Sequence, residues 1–204
     1  MKVEPVGQVG PSVLADGVGT QPFRQGKAGE QIIQQLHARY FEQTYRGNIF
    51  SAANQAAQAV SVALATTYTG ILLYNPVNSG KILVPLKVKF ALSAAPAAVA
   101  TIGLIGGFAA TGGVTAQTSA LGVQSSQIGN TSKGAGIALS AATIVAPTWI
   151  KQLWDGFTAL TLPAPQAPVD LEGMIEILPG GFLAIGALTS VTGLGSIFWE
   201  EVPQ

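Results

Sequence analysis

From residue 56 to the C-terminus, short apolar segments of strand length are separated by turn residues. In residues 82–91, Val88 and Phe90 alternate with Lys87 and Lys89, which is the period-two pattern of a half-buried β-strand. Similar segments predict strands over residues 59–67, 70–74, 99–108, 137–146, 174–178, 182–188 and 194–202. Because turn signals recur between them and no βαβ alternation occurs, the sequence predicts an all-β fold, an antiparallel β-sandwich. The long, unequal connections favour a jelly roll.

The turn residues also predict how the segments are joined. Asn75-Pro76 and Asn78-Ser79-Gly80 predict a tight turn, and Pro179-Gly180-Gly181 predicts a hairpin between segments 174–178 and 182–188. Residues 111–136 are rich in Gly, Ser, Thr, Gln and Asn and are predicted as a long surface excursion. The Pro-rich residues 163–169 are predicted as an extended connection.

The N-terminal part of the chain has a different composition. Residues 1–27 are rich in Gly, Pro, Val and Gln without a period, which predicts an extended N-terminal arm ahead of a single domain over 28–204. Such an arm is either a disordered tail or a segment that becomes ordered against a neighbouring subunit. Residues 35–46 fit helix or strand, and the β character of the remaining chain favours a strand that stops at Gly47.

The chain carries unusually few charges. Ten Lys and Arg balance ten Asp and Glu, so the net charge is zero and no basic nucleic-acid surface is expected. Charged residues make up 10% of the chain, against about 25% in an average protein. Because a monomer needs a solvated charged surface, this scarcity predicts either that copies of the chain or other partners cover much of the surface, or that Ser, Thr, Gln and Gly coat it.

The sequence contains little catalytic chemistry. It has no cysteine, His37 is its single histidine, and no Gly-x-Ser-x-Gly motif accompanies it. We therefore predict no enzymatic activity, no metal site and no cofactor. The uncharged residues 91–116 are interrupted by Pro96 and several glycines, so no membrane span is predicted.

Three parts of the chain resemble small virion structural proteins of tailed bacteriophages. They are GEQIIQQLHARYFEQTYRGNIFSAANQ, ILPGGFLAIGALTSVTGLGSIFWEEVP and the Ala-, Gly-, Thr- and Ser-rich middle, and the resemblance covers residues 22–54 and 173–203 best. It implies a non-enzymatic β-sandwich or jelly-roll protein in the virion, assembled in the host cytoplasm. We expect a capsid decoration or cement protein, a homotrimer in contact with the major capsid protein or another virion protein. The alternative within the virion is a tail, collar or fibre component.

Aromatic and basic residues are the candidates for subunit and partner contacts, because such side chains dominate interfaces. The predicted set is Phe23, Arg24, Tyr40, Phe41, Tyr45, Trp149, Trp154 and Trp199. Trp199 alternates with Ile197, so it is equally a candidate for the core. Basic residues of the first half, Arg24 among them, are expected to meet a neighbour's Glu172, Glu176, Glu200 and Glu201. A carbohydrate-binding module with Trp149 and Trp154 stacked on sugar is the alternative from another functional class.

Overall fold

The computed structural model describes residues 7–8, 23–24, 38–62, 64–157 and 168–204, with side chains described for 38–62, 64–154 and 168–204. The chain divides into two compact units, Met1–Glu42 and Gln43–Gln204. In the first unit, β1 (Gly7–Gln8) pairs in parallel with β2 (Phe23–Arg24). The rest of the predicted arm lies outside the described residues.

The second unit consists almost entirely of strands. The helix of the described residues, α1 (Phe41–Tyr45), precedes β3 (Ile49–Ala53), β4 (Gln58–Val60), β5 (Thr67–Tyr74), β6 (Lys81–Leu92), β7 (Ala100–Phe108), β8 (Val114–Ala120), β9 (Gln124–Ser125), β10 (Ile137–Ile144), β11 (Thr148–Phe157), β12 (Val169–Asp170), β13 (Gly181–Ala187) and β14 (Val191–Pro203).

The strands of this unit form two antiparallel sheets packed against each other. The first sheet has the order β11-β7-β13-β5-β10-β8, and the second has the order β12-β6-β14-β3-β9, with β4 paired to the start of β14. These two layers confirm the predicted all-β antiparallel sandwich. The jelly-roll connectivity stays a prediction.

The main core lies between the two sheets. Leu73 and Ile185 of the first sheet belong to the same buried cluster as Phe90, Ile197 and Trp199 of the second. Trp199 has no exposed surface, and its ring centroid lies 6.2 Å from that of Phe50 on the neighbouring strand. Burying each large apolar side chain contributes about 1.5–3 kcal/mol, so this layer is a main source of stability.

A second core lies on the other face of the first sheet. It contains Leu72 and Tyr74 of β5, Leu139 of β10 and Phe182 of β13, with Trp149 of β11 packed against it. Leu72 and Leu73 are adjacent in β5 and both are fully buried, so this strand is covered on both faces. The runs of apolar residues in β5 and β13 follow from this double burial.

The connection between β10 and β11 explains how one sheet encloses a core. These strands are first and fifth in the sheet, about 19 Å apart if the sheet were flat. Three residues, Val145 to Pro147, join them, and a link of this length spans at most about 14 Å. The sheet must therefore curl, and its ends approach each other: a Cβ on Gly107 of β7 would lie 2.8 Å from the Val145 carbonyl oxygen. The second core fills the inside of this curl.

The Tyr68 side chain connects two strands on the inside of the curled sheet. Its hydroxyl lies 2.8 Å from the Ile71 carbonyl oxygen and 2.7 Å from the Ile185 carbonyl oxygen, and it donates to these acceptors. Complete burial raises the pKa of Tyr68 far above its ordinary range, against the smaller effect of these two hydrogen bonds. The hydroxyl therefore stays neutral and serves as a link between β5 and β13.

The predicted strand over residues 35–46 is wrong within the described residues, because residues 41–45 form α1. The helix ends in a Schellman motif: the Gly47 N–H donates to the Thr44 carbonyl and the Asn48 N–H to the Gln43 carbonyl, with Gly47 at φ +75°. The predicted stop at Gly47 is therefore correct, although the element that it ends is a helix.

Three further expectations are corrected. The predicted strand over 59–67 is split, since β4 ends at Val60 and β5 begins at Thr67. The 111–136 excursion contains β8 and β9, whose Thr, Ser and Gln side chains belong to edge strands. Residues 174–178 do not form a hairpin with β13, because Ile177 bridges Leu83 of β6 while β13 pairs with β5 and β7. The strand β11, described over Thr148–Phe157, was not predicted.

We expect Gly103→Ala to destabilise the fold by about 1–3 kcal/mol, the usual cost of overpacking. A Cβ at this position would lie 2.6 Å from the Lys151 carbonyl oxygen and 2.8 Å from Cζ3 of Trp149, and the β7–β11 pairing leaves no room for either to move. Urea unfolding of the full chain measures the change. Gly122→Ala is the matched control, since its Cβ would meet only the end of the Gln124 side chain at 3.7 Å. Equal unfolding free energies for the two variants would contradict this account of the curl.

Candidate interaction surface

Three large, exposed apolar side chains line a cavity at one end of the first sheet. Phe108, Ile150 and Leu178 are between 47% and 60% exposed, and we call this set the apolar patch. The cavity has a volume of about 230 Å³, and Phe108, Ile150 and Leu178 line it together with Ile175 and Phe182. Large apolar side chains clustered at a surface depression are typical of a protein interaction site.

The pairing register of β7, β11 and β13 determines where these side chains lie. Thr148 of β11 pairs with Gly106 of β7, and a Cβ on Gly106 would collide with Cδ1 of Ile150. The glycine therefore makes the space in which Ile150 lies across β7. Phe108 is the last residue of β7, and its partner Gly181 begins β13. The loop between β12 and β13 brings Leu178 to the same cavity.

The polar side chain at this surface is acidic. Glu176 lines the cavity between Ile175 and Ile177, and it is exposed. A partner that covers the apolar patch would therefore gain from a cation opposite Glu176, which would add specificity more than affinity.

Trp149 and Trp154, which were predicted as contact residues, pack against the two cores and do not line this cavity. Trp149 is partly buried against the core inside the curl, and Trp154 is partly buried against the core between the sheets. Because they pack against different cores, they do not form one stacking platform for sugar. The outward residue next to Trp149 is Ile150, which the sequence analysis missed; an aliphatic residue beside a Trp gives no signal of which one faces the solvent.

Trp199 is wrong as a contact residue, because its side chain is completely enclosed by this chain. Its indole Nε1–H donates to Oε1 of Glu201 over 3.2 Å. Its core role, which the alternation with Ile197 also indicated, is the one that the structure shows.

The remaining predicted contact residues lie in or near the first unit. Phe23 and Arg24 form β2, and their side chains are outside the described residues, as is His37. The Arg39 guanidinium lies 5.3 Å from the centre of the Tyr40 ring, a cation–π contact. Phe41 and Tyr45 belong to α1 and are exposed.

Glu201 is a buried carboxylate held by the chain itself. Its two oxygens accept the Ala135 N–H over 2.9 and 2.8 Å, and Oε1 also accepts the Gly136 N–H over 2.9 Å. This side chain connects the loop before β10 to β14, and the pairing of Glu201 with a neighbour's basic residue stays a prediction. Glu200 points to the opposite face, where partial burial raises the pKa of its carboxyl above the ordinary value.

Other kinds of site have little support among the described residues. No three His, Asp or Glu side chains of the described ranges are grouped so that they could hold a metal ion. In the same ranges, no helix has the length and apolar character needed to cross a membrane. The Asp170 carboxylate forms an ion pair with Lys87 at 3.2 Å.

No protein-family model, curated protein or solved structure matches this chain.

We expect Glu201→Gln to lower the free energy of unfolding by about 2 kcal/mol, since a charge-assisted set of hydrogen bonds is weakened and the new amide NH₂ opposes a backbone N–H. Urea unfolding at neutral pH measures the loss. Glu200→Gln is the matched control, because it makes the same change one residue away. A loss as large in the control would contradict the role assigned to Glu201.

The Glu200→Gln variant also tests the raised pKa of that carboxyl. A raised carboxyl pKa means that the folded state binds the proton more tightly, so stability falls as the pH rises above the ordinary value of 4.5. Glutamine removes this fall. We expect the variant to be slightly more stable than the unaltered protein at pH 7, with the difference shrinking towards pH 4 in thermal unfolding. A variant that loses stability at pH 7 would contradict the prediction.

Proposed function

We propose that this protein is a non-enzymatic structural component of a bacteriophage virion, a capsid decoration or cement protein that acts as a homotrimer bound to the coat protein. The observation that supports it best is the apolar patch, which groups three exposed large side chains at one cavity. The resemblance of residues 22–54 and 173–203 to small virion proteins supports the location. A jelly-roll connectivity belongs to the same proposal.

The charge distribution supports assembly as well. Residues 90–132 contain no charged side chain, and this stretch includes β7, β8 and β9. An uncharged surface with an apolar patch is poorly protected against association, so a function that covers it is favoured. Covering about 800 Å² on each partner would be sufficient for a specific contact.

The first test measures the mass of the protein in solution. We expect light scattering at micromolar concentration to give three times the 20.8 kDa of one chain. Ile150→Asp should weaken the association at least about tenfold, because it places a charge in a desolvated contact. A monomer at every concentration would contradict the assembly.

The control substitution is made at a residue that is about as exposed as Ile150 but lies near the opposite end of the sheet. Leu188 is about as exposed as Ile150, and its N–H bonds to the Thr101 carbonyl near the opposite end of β7. Leu188→Asp should leave the mass unchanged. If it dissociates the protein and Ile150→Asp does not, the contact lies at the other end of the sheet.

The second test concerns the virion itself. The protein should copurify with the phage particles at a fixed ratio to the coat protein, and it should remain on tailless heads. Retention only on tails would favour the tail or collar alternative, and absence from particles would contradict a virion function.

A further inference from the structure

A row of five side chains crosses the outer face of the second sheet. The strand register aligns Asp170, Lys87, Phe198, Ser51 and Gln124 on five consecutive strands, from β12 to β9. At the usual strand spacing, the row is about 19 Å long. Along β14, Ile197 and Trp199 are buried, so Phe198 lies on the opposite, outward face, where it is 42% exposed.

A groove of about 550 Å³ lies beside this row. Its small lining residues are Ala53, Gly122 and Ser196, and its large ones are Phe198, Gln55 and Gln124. Ser196 pairs with Ala53 across β14 and β3, directly next to the pair of Phe198 and Ser51. Small side chains thus leave a depression between one aromatic ring and two amides.

The chemistry of the lining is neutral and suited to hydrogen bonding. The two glutamine amides and the two serine hydroxyls each offer donors and acceptors, and no charged residue lines the groove. The adjoining strand β6 carries three lysines. Lys87 is paired with Asp170, Lys89 is the cross-strand neighbour of Ser196, and Lys81 lies at the far end of the strand opposite Pro203. A ligand that fits this lining is uncharged, rich in hydroxyl groups, and has a flat C–H face for the ring.

An extended peptide fits the same place less well. Strand β9 pairs with β3 at Phe50 and Ser51, so the open edge of β3 begins beyond them. There the Gln55 Nε2 already donates to the Ala53 carbonyl oxygen over 3.2 Å. An added strand would have to displace this bond, whereas a ligand on the outer face would not.

We propose that this groove binds a neutral carbohydrate, with a sugar ring stacked on Phe198 and its hydroxyls bound by Gln55, Gln124 and Ser51. The site is independent of the assembly proposed above, because it lies on the other sheet. It also differs from the predicted platform of Trp149 and Trp154, which pack into the cores.

The test uses the full chain on an array of defined neutral and acidic oligosaccharides, followed by calorimetric titration of the best ligand. We expect the unaltered protein to bind neutral glycans. Phe198→Ala and Gln124→Ala should each weaken binding at least about tenfold, as expected when a stacking contact or a paired hydrogen bond is removed.

Leu194→Ala is the matched control, because Leu194 lies on the same face of β14 with nearly the same exposure, 40%, and outside the groove lining. It should bind as the unaltered protein does. Ala53→Gln provides a second variant that fills the groove while the Phe198 ring is kept, and it should also lose binding. Thermal unfolding checks that each variant is folded.

Three results would overturn the proposal. They are the absence of binding to every neutral glycan on the array, an equal loss in Leu194→Ala, and binding restricted to acidic glycans that disappears in Lys89→Ala. Selection of extended peptides that protect the groove, with no glycan bound, would assign it to a peptide instead.

Discussion

The three-residue link between β10 and β11 is the constraint on which the rest of the second unit depends. It joins the first and the fifth strand of one sheet, so the sheet can exist only when it is curled. The curl encloses one core, and its outer surface supplies half of the other. Close approach inside the curl requires residues without a side chain, which explains Gly103 against the Trp149 ring and Gly186 against the Ile105 side chain.

The two sheets consequently differ in how much of their surface is exposed to solvent. In the first sheet, β13 is buried at every position, because both of its faces meet a core. In the second sheet, β14 alternates buried and partly exposed residues, because only its inner face is covered. The charged residues of β6, β12 and β14 therefore lie mostly on this outer face, whereas the first sheet shows apolar side chains where its strands end.

The apolar patch and the groove illustrate how far residue types predict a site. Aromatic residues were the natural candidates, yet Trp149, Trp154 and Trp199 are used in the cores. Phe198 and Ile150 face outward, although each is adjacent to one of these tryptophans in the sequence. Large apolar side chains are equally suited to a core or a contact, and only the pairing register decides which neighbour turns inward.

Local signals along the chain were enough to predict the all-β class, the strands over 82–91, 99–108 and 137–146, and the stop at Gly47, because alternation and turn chemistry act over a few residues. Those local signals did not show that residues 41–45 are helical, that Ile177 forms a single bridge to Leu83 of β6, or that β11 closes a curled sheet. These features became visible in the folded chain, since each involves contacts with residues distant in the sequence. Both candidate surfaces were decided in the same way: they are the places where folding left apolar or neutral side chains without a partner layer.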